Sequence, residues 1–95
     1  MEFEFEWDPT KDEANEHKHD ISFTEAIIVF DDPHHIVEDV TRPEHGEKRT
    51  KAIGRVGAFV LAVIFTERHQ RRRIISARRA RRNERERYRQ GAEAI

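Results

Sequence analysis

Phe3, Phe5 and Trp7 alternate with Glu2, Glu4, Glu6 and Asp8, a period of two that predicts a strand with one apolar and one solvated face. Asp8 then offers a carboxylate to the orphan N–H groups of a helix, and Pro9 suits the first helical position because the donor it lacks would have no partner there. That helix is expected to run to about His19. Ser22 and Glu25 stand at capping-box spacing, with Ile21 and Ala26 at the positions of a hydrophobic staple. A second helix therefore follows, presenting Phe23, Ala26, Ile27 and Phe30 on one side. Asp31, Asp32 and Pro33 end it, since proline disfavours helical geometry in the preceding residue.

From Ile36 the pattern turns to β, with candidate strands at Ile36 to Val40, Arg49 to Val56, Ala58 to Thr66 and Arg72 to Ala77. Turn chemistry at Pro43 to Gly46 and Gly54 to Gly57, with short connections, favours antiparallel neighbours. The run Ala58 to Phe65 has no polar face and is too short for a buried helix, so it belongs at the sheet centre with both faces covered. Residues 79–90 are rich in Arg and Glu, with Ala80, Glu84 and Tyr88 four apart, which predicts a helix whose apolar stripe is thin enough to need the sheet or another chain as cover. The expected fold is α+β in one domain over residues 1–95: an antiparallel β-meander with two N-terminal helices and one C-terminal helix, ordered β-α-α-β-β-β-β-α. Phe59, Leu61, Val63 and Phe65 should pack beside Trp7, Phe23 and Phe30, and residues 90–95 should fray.

Charge changes the picture most. Residues 1–48 hold 15 Asp and Glu against 4 Lys and Arg, whereas residues 49–95 hold 14 Lys and Arg against 4 Glu. Between Arg68 and Arg89 there are 11 arginines and no lysine. A solvated face explains any charge run, but a planar, always-charged fork in preference to an ammonium is what phosphate recognition favours. With no cysteine, neither a disulfide framework nor a thiolate metal site is available. The acidic start and the short apolar runs predict a cytoplasmic protein with no signal segment and no membrane partner.

Metal-free RNA cleavage needs a base for the 2′-hydroxyl, an acid for the leaving oxygen and cations for the pentacoordinate phosphate. Glu67, His19 and Tyr88 are candidates for proton transfer, with Arg49 and Arg78 for charge. Arg68, Arg73, Ser76, Arg79 and Lys18 are the candidate RNA contacts. Glu67 at the end of the central strand is expected to share a cleft with the guanidinium groups of the next one. Its plain alternative is an ion pair with a neighbour, and that of Tyr88 is an anchor docking the last helix. His17 and His19, two apart, should point to different sides of a helix, and His34 and His35 should alternate across a strand, so no metal and no cofactor are expected. No P-loop or activated Ser or Cys nucleophile is present.

The ordered set Phe5-Glu6-Trp7-Asp8-Pro9, Lys11, Asn15, Lys18-His19, Ser22-Phe23, Glu25-Ala26, Val29-Phe30 and Asp32-Pro33 resembles BrnT-type toxins. Glu47, Arg49, Ile53-Gly54, Thr66-Glu67-Arg68, Arg73-Ile74-Ile75-Ser76-Ala77-Arg78, Glu84-Arg85 and Tyr88 extend the likeness to residue 89. One departure is Asp20, where such proteins usually carry glycine; Asp can also take the left-handed turn that ends a helix. The resemblance implies a RelE-like, metal-independent endoribonuclease that inhibits growth as the toxin of a type II toxin–antitoxin system. It further implies a BrnA-like antitoxin as partner, with operator DNA bound only through their complex. The alternative is a non-catalytic nucleic-acid-binding or transcription-regulating module. An acidic Glu67 inside a basic cleft would favour the catalyst, because a pure binder gains nothing from it.

Overall fold

A computed structural model describes residues 4–93. Its elements follow the expected order: β1 (Glu4–Glu6), α1 (Pro9–His19), α2 (Phe23–Ala26), β2 (Ile36–Asp39), β3 (Thr50–Val56), β4 (Phe59–Arg68), β5 (Arg71–Arg79) and α3 (Arg82–Glu93). The local signals act as their chemistry dictates. Asp8 Oδ1 accepts from the Thr10 N–H at 2.8 Å, and Ser22 and Glu25 close the capping box. Asp20 adopts φ 58° and returns its N–H to the Glu16 carbonyl, so the turn after α1 survives without glycine. The second helix is tighter than expected: only one α-helical turn precedes a 3₁₀ segment, Ile27–Asp31.

The five strands lie in the order β1-β5-β4-β3-β2. β2 to β5 form the expected antiparallel meander, but β1 pairs parallel to β5, with Phe5 opposite Arg72. The sheet is therefore mixed rather than wholly antiparallel. A parallel pair needs a long crossover, and the whole chain between residues 6 and 71 serves as one. Phe3, placed in the first strand by its alternation, lies outside the described residues.

β4 sits mid-sheet, and its unbroken apolar run is covered on both faces. On one side Leu61, Val63 and Phe65 join Phe23, Ala26, Val29, Ile74 and Ala77, with Trp7 and Phe30 packed against them. On the other, Ile53 and Ala62 meet Ala80 and Tyr88. The thin stripe of α3 is thus buried by the chain's own sheet, and α3 extends to Glu93; of the residues expected to fray, 94 and 95 lie outside the described residues. Phe59 is the exception to the predicted core: it is 49% exposed. It stands at the hairpin end, where its ring carries the Arg79 guanidinium 3.9 Å above its centroid.

Gly54 marks where the 3₁₀ segment presses on β3. A Cβ built there would lie 2.6 Å from Val29 Cγ2 and 2.9 Å from His35 Cβ. Gly54→Ala is expected to cost about 1–3 kcal/mol through overpacking, read as a lower urea midpoint at unchanged slope. An unchanged midpoint would show that this contact gives way freely.

Candidate functional site

α1 is polar nearly all round, and Asn15 is its one buried side chain. Its amide explains how so polar a helix is held. Nδ2 donates to the carbonyls of Ile21 and Ala77, both at 2.9 Å, and Oδ1 accepts from the Ala77 N–H at 3.1 Å. Asp12 adds a bond from the Phe23 N–H at 2.8 Å. This clamp brings the last turn of α1 beside the end of β5. Between them opens a cleft of about 510 Å³ lined by His17, Lys18, His19, Asp20, Arg78, Arg79 and Arg81. Its lining of one lysine, three arginines and two histidines against a single aspartate suits an anion with several oxygens.

Arg78 is held from behind by Glu84, a residue of α3 that is 2% exposed. Arg78 Nη1 and Nη2 donate to the two Glu84 oxygens at 2.7 and 2.9 Å, Lys51 Nζ lies 2.7 Å from Oε2, and the Arg81 N–H reaches Oε1 at 2.8 Å. Burial alone would raise the Glu84 carboxyl, but the bonds from Arg78, the Arg81 N–H and Lys51 outweigh it and hold the group far below the usual carboxylate range. Glu38 continues the network, accepting from Arg87 at 2.6 and 3.0 Å. Glu84 was absent from the expected site. Its signals in the sequence were the four-residue spacing with Ala80 and Tyr88 and its place beside Arg85 in the family pattern.

Of the residues singled out from the sequence, Lys18, His19, Arg78 and Arg79 meet in the cleft. His17 also lines it. His34 and His35 lie in the turn before β2 rather than in a strand. Ser76 pairs with Ile64 and lies on the same sheet face as Arg78. Arg73 is engaged by Glu6 at 2.9 Å, and Arg68 and Arg49 both bind Glu47, at 2.8 and 3.4 Å. Tyr88 is buried and donates to Asp32 Oδ2 at 2.6 Å, which makes it the anchor of α3.

Glu67 does not share a cleft with Arg49, Arg73 or Arg78. A register shift falls between Ile64 and Phe65, after which Thr66 opposes Arg73 while Glu67 opposes Arg72. Successive residues alternate faces, so Glu67 turns away from Arg73. Its carboxylate is 3.7 Å from Arg72, and it lines a separate hollow with Lys48 and Thr50. The contrast drawn from Glu67 among cations therefore rests on Arg72 and Lys48 rather than on Arg73 or Arg78.

Among the described residues no group of three or more His, Asp or Glu is placed to hold a metal ion, and no helix is long and apolar enough to cross a membrane. Residues 7–84 match the family model described as the ribonuclease toxin, BrnT, of type II toxin–antitoxin systems. No curated protein matches the chain at a significant level.

Proposed function

Because the chain belongs to the BrnT family of type II toxin–antitoxin ribonuclease toxins, we propose that the cleft between α1 and β5 is where it cuts RNA, without a metal ion. Membership of such a system implies an antitoxin protein as partner; we take that partner to be BrnA-like, its complex with the toxin to contact operator DNA, and the superfamily to be RelE-like. The observation that carries the proposal is that two histidines line one cleft with Lys18, Arg78, Arg79 and Arg81. One imidazole, His19 by preference, accepts the proton of a 2′-hydroxyl as its oxygen attacks the adjacent phosphorus. The arginines take up charge on the pentacoordinate phosphate, and the other imidazole, entering protonated, gives its proton to the departing 5′-oxygen. The products are a 2′,3′-cyclic phosphate and a 5′-hydroxyl. Uncut RNA after release from the antitoxin would favour the alternative of a binding module.

Purified, partner-free protein incubated with RNA in excess chelator is expected to generate cyclic-phosphate ends. Arg78→Lys keeps the charge but loses the fork that engages Glu84, and should slow cleavage about 10- to 100-fold, or about 1.4–2.7 kcal/mol of transition-state stabilisation. Loss of activity with chelator, restored by a divalent ion, would overturn metal independence. Activity abolished by Glu67→Gln but not by His19→Gln would move the chemistry to the hollow lined by Lys48, Thr50 and Glu67.

A further inference from the structure

The chain carries cations beyond the cleft. At 3.6 residues per turn, Glu84, Arg87 and Tyr88 fall on the inner side of α3, where each has its partner in the sheet or in Asp32. Arg82, Arg85 and Arg89 fall on the outer side, within one stripe, and all three are exposed. With a rise of about 1.5 Å per residue they span about 10 Å of helix. Together with Glu86 they frame a hollow of about 290 Å³.

The stripe is continuous with the cleft. Arg81, immediately before α3, is part of the cleft lining, and Arg85 Nη1 donates to the Ala80 carbonyl at 2.7 Å, fixing the second arginine of the stripe to the same connection. The only carboxylate in the hollow is Glu86, whose contact with Arg82 is a loose 3.5 Å pair between exposed side chains, worth little in water.

We propose that the outer face of α3 is an exosite for the sugar–phosphate backbone of the RNA strand whose scissile step lies in the cleft, with Arg82, Arg85 and Arg89 each meeting a phosphate away from the cut. The proposal rests on the assignment of the cleft as the cutting site. An RNA strand is favoured over a protein as occupant because the exposed positions Arg82, Asn83, Arg85, Glu86, Arg89 and Gln90 include no aromatic or aliphatic anchor of the kind that dominates protein interfaces. A polyphosphate chain needs only fixed cations. Such a surface reads no bases. It makes the enzyme prefer longer strands without narrowing its sequence choice.

The test uses uncleavable 2′-O-methyl strands of four and twelve nucleotides, with binding followed by fluorescence anisotropy between about 50 and 200 mM salt. The triple variant Arg82→Gln, Arg85→Gln, Arg89→Gln is compared with wild type. The double variant Arg82→Gln, Arg89→Gln leaves the Arg85 bond to Ala80 in place as a guard against misfolding. At about 0.7 of slope per phosphate contact on single strands, the salt slope for the long strand should fall by about 2 in the triple variant and about 1.4 in the double one. The short strand should bind all three proteins alike, and its all-ribose form should be cut at the wild-type rate. An unchanged slope for the long strand overturns the exosite, and if the variants instead lose the antitoxin, the stripe belongs to the protein partner. A slope that falls as expected, with the short ribose strand cut by none of the proteins, supports the stripe as an RNA surface and removes the cleft as the cutting site.

Discussion

Replacing Asn15 by leucine is expected to cost about 3–5 kcal/mol and to abolish RNA cleavage in whatever fraction stays folded. The variant leaves three backbone groups without their present partners: the N–H and carbonyl of Ala77 and the carbonyl of Ile21. A buried polar group left unpaired costs about 1–3 kcal/mol, and leucine adds a branched volume where a planar amide fitted. The loss of activity has a separate cause. α1 holds Lys18 and His19 against Arg78 and Arg79 only while Asn15 pins it to β5, so a helix that shifts by an ångström misaligns the two walls of the cleft. Urea unfolding and cleavage rates read the two effects independently. A midpoint corresponding to less than about 1 kcal/mol of lost stability would mean that water replaces the amide without penalty.

Glu84→Gln is expected to lower stability by about 3–5 kcal/mol at neutral pH, because it leaves the half-buried cations Arg78 and Lys51 without their shared counter-charge. The pH dependence gives the sharper signature. Glu84 ionises more readily in the folded chain than in the unfolded one. Its contribution is therefore fully present above the unfolded value, about 4.3, and is lost progressively as pH falls below it towards the folded value. Asp32, Glu38, Asp39 and Glu47 shift in the same direction, so wild type should lose stability steeply on the acid side. The variant should lose less between neutral pH and about pH 3. Parallel stability curves for the two proteins would show that the Glu84 charge does not stabilise the fold.

The elements were legible in the sequence because their signals are local. Asp8-Pro9, the Ser22–Glu25 box and the apolar run at 58–65 each act within a few residues, and each element formed where its signal stood. What stayed hidden depends on encounters between distant parts of the chain. Asn15 looks like an indifferent helix residue until Ala77 lies beside it. Glu84 looks like surface charge until α3 docks with that side down. Which arginines share a face with Glu67 was decided by one irregular step in the β4–β5 register, where Ile75 is passed over, and a slip of one residue turns every later side chain over. One of the three predicted proton-transfer residues rested on that parity.

The parallel seam between β1 and β5 and the Asn15 bond to Ala77 join positions separated by more than sixty residues. Contacts so remote pay their loop-closure cost before they return any stability. They cannot form on a nascent chain until β5 has left the ribosome. Because one wall of the proposed cutting site is made early in translation and the other late, an incomplete chain would lack that site, and on this proposal the cell that makes it is spared until synthesis is nearly finished. At about 5–20 residues per second, that delay is several seconds, during which an antitoxin already present can meet the chain before it is armed.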